Sequence, residues 1–176
     1  MPGPKFLWQA PRFSARQTQV HRSRRCELPP TAQVKMRLDR AKASAGPTST
    51  TNVRVRYAET DQMQVAYHAH YFTWFEIGRC ELLRSLGQSY RTLEATGYKL
   101  PVIEAHCEYQ SPALYDDQLE ICTKALLISP ARVRFEYEVK RHTDMCVAAS
   151  GLTVHAAINS EGKVVRLPRE IRQLLT

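Results

Sequence analysis

The chain has 176 residues, room for one domain of ordinary size and a tail. Its formal charge of +8 sits at one end: residues 1–52 hold ten Lys or Arg against Glu27 and Asp39, and subtracting these from the totals of 25 and 17 leaves 15 basic and 15 acidic residues in 53–176. The neutral body confines any nucleic-acid role to the amino-terminal arm, and five cysteines (Cys26, Cys80, Cys107, Cys122, Cys146) without a C-x-x-C pair argue against a zinc site or a secreted disulfide framework. No apolar run approaches the roughly 20 residues of a membrane-spanning helix. A cytoplasmic protein without metal, cofactor or membrane insertion is expected.

Residues 1–51 are rich in Arg, Ser, Thr, Gln and Pro and show no sustained apolar period; Pro29-Pro30 and Ala43–Thr51 read as unstructured linker. Three readings stay open for this basic extension. It is a disordered tail, with Met36 as a candidate later start; or an Arg-rich, acid-poor transit peptide, which makes an organelle the alternative location; or a nucleic-acid-binding arm. Only Phe6, Trp8 and Phe13 give the last reading aromatic company. The tail is the expectation, and nucleic acid is not an expected partner.

The texture changes at Asn52, where the folded domain (52–176) is expected to start. Val53, Val55 and Tyr57 alternate with Arg54 and Arg56 as in a half-buried strand. From Ala69 to Leu86, Tyr71, Trp74, Phe75, Gly78, Leu82 and Leu86 share one helical face, and Phe72, Ile77 and Leu83 widen it until the helix must be covered on most sides. Gly87 ends it. A short helical turn over Tyr90–Thr96 leads into strands at Tyr98–Tyr109, Gln118–Ile128, Arg132–His142 and Met145–Asn159, a Ser160-Glu161-Gly162 turn, a short strand over Lys163–Arg166 and a last helix from Pro168 to Leu175. Hairpin spacing makes the sheet antiparallel, and one long apolar helix against it gives an α+β domain.

Between the first strand and the long helix lies the segment where chemistry is expected. Asp61 is followed seven residues later by His68 at the helix start. A helix N-terminus offers unpaired N–H groups and positive potential to a developing oxyanion, and the carboxylate offers a base or nucleophile. From residue types alone, Asp61 is equally a turn or helix-entry aspartate. Glu76 and Arg79, three apart on the helix, read as an ion pair, and His155 as a packed histidine.

The segments Val55-Arg56-Tyr57-Ala58-Glu59-Thr60-Asp61-Gln62-Met63, Tyr67-His68-Ala69-His70-Tyr71-Phe72 and Phe75-Glu76-Ile77-Gly78-Arg79 resemble the signature of acyl-CoA thioesterases of the 4-hydroxybenzoyl-CoA thioesterase superfamily. Tyr109-Gln110-Ser111-Pro112-Ala113 with Tyr115-Asp116-Asp117 is similar to the family's strand-turn pattern. The resemblance covers residues 52–176 and implies a hotdog fold, a long central helix wrapped by an antiparallel sheet of five to six strands. The chain departs from the pattern at Gln64, where the family usually has glycine, and at His70, where it usually has asparagine. Glycine there supplies positive φ or close approach of substrate to the main chain, and glutamine is expected to forgo both.

The resemblance implies hydrolysis of a small, medium-chain or aromatic acyl-CoA to free acid and coenzyme A, the CoA being part of the substrate. It assigns Asp61 as general base or direct nucleophile, backbone N–H groups around His68 and Ala69 as oxyanion donors, and supporting roles to the His68 imidazole and the Tyr57 hydroxyl. Arg132, Arg134, Lys140 and Arg141 are candidates for the CoA phosphates, the first two foremost. Edge-to-edge pairing of two hotdogs implies a homodimer or homotetramer with the site between subunits, which also covers an exposed strand edge. Two alternatives remain: hydrolysis of acyl carrier protein thioesters, and a catalytically silent acyl-binding module in which Gln64 and His70 have spoiled the site.

Overall fold

The computed structural model describes residues 46–175, so most of the basic extension read at 1–51 lies outside the described residues. The elements are β1 (Thr48–Arg54), α1 (His70–Ser85), α2 (Tyr90–Ala95), β2 (Val102–Tyr109), β3 (Gln118–Ser129), β4 (Arg132–Arg141), β5 (Val147–Ala156) and α3 (Arg169–Leu174). The five strands form one sheet in the order β1-β3-β4-β5-β2, every pairing antiparallel. The long helix lies over β1, β3 and β4, which is the hotdog arrangement.

Alternation sets which face is which. In β4, Val133, Phe135, Tyr137 and Val139 are buried toward α1, while the charged residues between them face outward. Their neighbours Leu119, Ile121 and Ala125 on β3 complete the floor under the helix. From above, Trp74, Phe75 and Leu82 are each at most 1% exposed, burial that contributes roughly 1.5–3 kcal/mol per large apolar side chain. Phe75 stacks on Tyr137 with ring centroids 4.4 Å apart. A Cβ at Gly151 would lie 2.5 Å from the His106 carbonyl oxygen and 2.6 Å from the Phe75 ring, so only glycine lets β5 pass beneath that ring. Helix α1 ends in a Schellman arrangement: Gly87 has φ 79°, its N–H donates to Arg84 O at 3.0 Å, and the Gln88 N–H donates to Leu83 O at 3.0 Å.

Three boundaries differ from the sequence expectation. The first strand begins at Thr48 rather than at 52, because Ser49, Thr51 and Val53 form its half-buried face; a run of polar, largely β-branched residues reads as linker by composition and as strand by alternation. The strand expected from Tyr98 begins only at Val102, after Pro101, with a lone bridge from Lys99 to Ile158. The expected strand at Lys163–Arg166 is reduced to one bridge, Ile158 to Val164, so the sheet has five strands. Here Asn159 Oδ1 accepts the N–H groups of Glu161 (3.0 Å) and Lys163 (2.9 Å), folding the chain into a tight turn.

The segment joining β1 to α1 is fastened at two points. Residues 60–66 form a small hairpin: the Asp61 N–H donates to Val65 O and the Gln64 N–H to Asp61 O, both at 2.9 Å, and Ala66 is tied to Ala113 O at 2.8 Å. Gln64 occupies the left-handed position of this three-residue loop, φ 63°. The positive φ that glutamine was expected to forgo is therefore retained, against the steric preference of a residue with a Cβ. The second fastening is Glu59, 3% exposed. Its carboxylate accepts the Arg56 backbone N–H (2.8 Å), the Arg56 guanidinium (2.8 Å) and the Trp74 indole N–H of α1 (3.4 Å), while its carbonyl accepts the Tyr67 N–H at 2.8 Å. Burial alone pushes this carboxyl up, but the Arg56 side-chain and backbone bonds and the Trp74 bond outweigh it and hold the value below the ordinary 4.5.

Two predictions follow from these fastenings. Because the Glu59 value is lower folded than unfolded, its contribution is fully present above about pH 4.5 and lost as pH falls through the lower folded value. Glu59→Gln is expected to destabilise by roughly 1–3 kcal/mol at pH 7 and to flatten the acid limb of a stability-against-pH curve from urea unfolding. Gln64→Gly is expected to raise stability by roughly 0.5 kcal/mol, the relief of left-handed strain exceeding the entropy of the added glycine, read as a higher urea midpoint at unchanged slope.

Candidate active site

The small hairpin, the start of α1 and the end of β2 enclose a cleft of about 320 Å³, lined by Asp61, His68, Tyr71, Tyr109, Ser111 and Pro112 among others. Asp61 enters it from the hairpin turn and is half-buried. Its Oδ1 accepts the Met63 N–H at 2.8 Å, which fixes the carboxylate plane. Among the described residues no donor reaches Oδ2, so one oxygen is left for chemistry.

His68 is exposed on the opposite wall, its ring 4.2 Å from that of Tyr67. Ala69 is the N-cap residue of α1 and brings no capping side chain. The His70 and Phe72 N–H groups turn back to Tyr67 O (3.0 Å) and Ala69 O (3.2 Å), but among the described residues the N–H groups of His68 and Ala69 reach no acceptor. These are orphan donors at the positive end of a 16-residue helix. An oxyanion forming between them and Asp61 is stabilised by preorganised dipoles.

The end of β2 is held firmly. Gln110 and Ser111 both donate N–H groups to Ala148 O, at 2.9 and 3.1 Å, and the Ser111 hydroxyl donates to Val147 O at 2.9 Å. Arg141, at the end of β4, donates to Pro112 O at 3.1 Å and pairs with Asp144 at 2.7 Å. The Tyr109 hydroxyl donates to the His68 carbonyl oxygen at 3.0 Å, joining β2 to the helix start.

Asp61 and His68 thus share one cleft, and the other expected site residues lie elsewhere in the chain. Tyr57 is outside the cleft lining: it is 79% exposed and meets Tyr115 edge to face at 5.7 Å. It sits in a 3-10 turn (Tyr57–Glu59) rather than on the strand, so the strand alternation does not set the direction of its ring. Arg132 and Arg134 stand on the outer face of β4 at its start. Arg134, half-buried, lies 3.8 Å from Glu136. The seven residue steps from Arg134 to Arg141 span ~23 Å of strand, so both arginines are remote from the cleft of their own chain.

A second cavity, about 240 Å³, opens at the other end of β2 between Phe72, Phe75, Glu76, Ala105 and Tyr137 of its lining. Burial pushes the Glu76 carboxyl up, and the Arg79 guanidinium outweighs that and holds it below the ordinary value. Arg79 Nε donates to Glu76 at 3.1 Å, and its guanidinium lies 4.6 Å from the Tyr90 ring centroid, so the expected ion pair is formed on a helix face that is otherwise apolar. His155 is 1% exposed with Nδ1 2.9 Å from Leu100 O and Nε2 2.9 Å from Thr153 Oγ1; burial pushes its imidazole down, which keeps it neutral in the core. Among the described residues no three His, Cys, Asp or Glu side chains converge as a metal site, and no helix is long and apolar enough to cross a membrane.

Two residues of this region escaped the sequence reading. Glu59 was lost among the other polar residues of its segment, although an acid three residues after Arg56 is the pattern of a turn closed on itself. Tyr109 carried a signal in its place, an aromatic at a strand end directly before Gln-Ser-Pro.

Comparison with known proteins agrees with this architecture. Residues 55–175 match the model of the Thioesterase-like superfamily. The acyl-CoA thioesterase YbgC of Haemophilus influenzae is 35% identical over 123 residues, which are 68% of this chain and 88% of that protein. The crystal structure of DHNA-CoA thioesterase from Staphylococcus aureus superposes with a TM-score of 0.67 at 32% identity, over 72% of this chain and 85% of that one. A hypothetical protein from Aquifex aeolicus superposes with a TM-score of 0.69 at 31% identity, over 73% and 99%. A cleft with a ready carboxylate and unpaired helix donors, in a chain so matched over its folded part, leads to one assignment: the protein belongs to the Thioesterase-like superfamily.

Proposed function

We propose that the protein hydrolyses the thioester of a small, medium-chain or aromatic acyl-CoA to free acid and coenzyme A at the Asp61 cleft, with no cofactor beyond the CoA of the substrate. The observation that carries this reading is the juxtaposition of a carboxylate oxygen and two N–H groups at the start of α1 that find no partner among the described residues. Thioester hydrolysis needs a base or nucleophile on one side of the carbonyl and donors for its oxygen on the other. Asp61 supplies the first, either by taking a proton from an attacking water or by attacking through Oδ2 to form an anhydride that water then opens. His68 and Ala69 supply the second, with the His68 ring at the mouth of the cleft. The relatives named for acyl-CoA hydrolysis support CoA as the thiol.

A twofold dimer accounts for the remaining residues. Strand β2 is an open edge with Val102 and Ile103 53% and 52% exposed, and the Phe72 and Ile77 flank of α1 is also uncovered. Pairing two β2 edges, with both helices on one face of a continuous sheet, makes the two strands antiparallel. The Asp61 cleft at the end of one β2 then meets the start of the partner's β2, the end at which Val102 pairs with His155 and His155 with Val133. Arg132 and Arg134 flank that Val133, so each chain offers its arginines to the CoA phosphates in the other's site, and its apolar second cavity to the acyl group. Remoteness of these arginines from Asp61 within one chain supports a site made by two.

Neither alternative has a feature of its own in its favour. Among the described residues of one chain, Arg141 is paired with Asp144, Arg54 with Asp116 and Arg56 with Glu59, so these arginines add nothing for an acidic carrier protein beyond the Arg132 and Arg134 that the dimer brings to the CoA phosphates. Gln64 keeps the loop conformation that a glycine would give, which removes one reason for a silent module. Cytoplasmic location remains part of the proposal, supported by the free cysteines Cys80, Cys107, Cys122 and Cys146.

The test is release of free thiol from a panel of acyl-CoAs. Asp61→Asn is expected to lower kcat by about 10²–10⁴-fold with an unchanged unfolding midpoint. Wild-type turnover in that variant would remove Asp61 from the mechanism; no turnover of any acyl-CoA by the wild type would favour the binding module.

A further inference from the structure

We propose that the Tyr109 hydroxyl positions the oxyanion-binding peptide: its hydrogen bond to the His68 carbonyl oxygen fixes the plane of the His68–Ala69 peptide, and with it the direction of the Ala69 N–H. The proposal rests on the thioesterase reading of the Asp61 cleft. Tyr109 is a positioning residue here, acting through the backbone and not on the substrate.

The geometry begins with the 3.0 Å contact from Tyr109 Oη to His68 O. No peptide bond among the described residues is cis, and in a trans peptide the C=O and N–H point in opposite directions. Fixing the carbonyl therefore fixes the N–H that shares its plane. Residues 67–69 lie just ahead of the regular helix, where no side-chain cap restrains the chain. Among the described residues no other donor reaches His68 O, so the peptide has one restraint on its rotation.

The phenol is itself braced for this task. Its ring meets that of Tyr71 edge to face at 5.1 Å, and that of His68 at 6.4 Å. Tyr71 is buried and leans on Trp74 at 4.7 Å, and Trp74 in turn donates to Glu59. The hydroxyl is thus placed by an aromatic row that ends in the carboxylate fastening the other side of the same segment. Burial, then the neighbouring Cys107 thiol, pushes the Tyr109 phenol up to about 12, so it stays a donor across the neutral range.

Tyr109→Phe keeps the ring contacts and removes only the donor. It is expected to lower kcat by about 10–100-fold, a part of what loss of an oxyanion donor costs in a hydrolase, with KM and the unfolding midpoint near wild type. A second variant carries a fluorinated tyrosine of more acidic phenol at position 109. Its kcat is expected to fall as pH rises through the phenol's own pKa, because a phenolate cannot donate to a carbonyl, while the wild type shows no such fall. A merely structural tyrosine would not produce that pH limb, and the fluorinated enzyme decides the matter if Tyr109→Phe fails to fold. Wild-type kcat in the phenylalanine variant, a rise in KM alone, or superimposable pH profiles for fluorinated and wild-type enzymes would overturn the proposal. If those results appear while Asp61→Asn still abolishes turnover, only the Tyr109 role falls; if Asp61→Asn is fully active, the thioesterase reading of the cleft falls with it.

Discussion

Helix α1 is apolar around more of its circumference than one face of a flat sheet can cover, and the rest of the architecture answers that constraint. Strands β1, β3 and β4 take the Trp74, Phe75 and Leu82 side, and Gly151 admits the Phe75 ring against β5. Strand β2, on the far edge, lies beyond the helix and keeps exposed residues on both faces. The uncovered flank of α1 and the uncovered edge of β2 adjoin one another, so a single added element, the second copy of the chain proposed above, would cover both. The proposed dimer follows from helix composition, and the two-chain character proposed for the functional site has the same cause.

The position of the site follows from where that helix begins. An uncapped N-terminus leaves donors without acceptors, which in a buried setting is costly and at the mouth of a cleft is useful. What makes the donors useful is that the chain leading to them is held on both sides. Glu59 ties it to the helix body through Trp74, and Tyr109 ties it to the edge strand. Between these ties the hairpin at 60–66 presents Asp61 with one oxygen occupied and one without a donor among the described residues. Gln64 accepts an unfavourable backbone conformation to keep that hairpin closed, an expense in stability located within three residues of the proposed reactive carboxylate.

The sequence made the fold legible where period and burial coincide. The strands β3, β4 and β5 and the helix α1 were placed within two or three residues, because alternation and the 3.6-residue period are direct images of burial. The first strand was cut short since threonine and serine look like linker by composition, and the Lys163–Arg166 strand was overread since a side chain, Asn159, captures the turn before it. Within the site, Asp61 and His68 could be paired from spacing along the chain, and the structure brings both to one cleft. Tyr57 could not be placed that way, because a single 3-10 turn decides its direction. Arg132 and Arg134 show the deeper limit: the relation to Asp61 proposed for them depends on how two chains would meet, which no period in one chain encodes. Glu59 and Tyr109 act on main-chain atoms, and main-chain partners leave little trace in residue type.

Subunit complementation tests the central claim, that Asp61 hydrolyses a thioester in a site completed by Arg132 and Arg134 of a second copy. Asp61→Asn chains and Arg132→Glu/Arg134→Glu chains, each inactive alone toward acyl-CoA, are unfolded together, refolded as a mixture and assayed for thiol release. Random reassortment makes half the dimers mixed, each with one intact site of two, so recovery of about one quarter of wild-type activity is predicted. No recovery from a mixture shown to contain mixed dimers, or full activity of the double arginine variant by itself, would contradict the account.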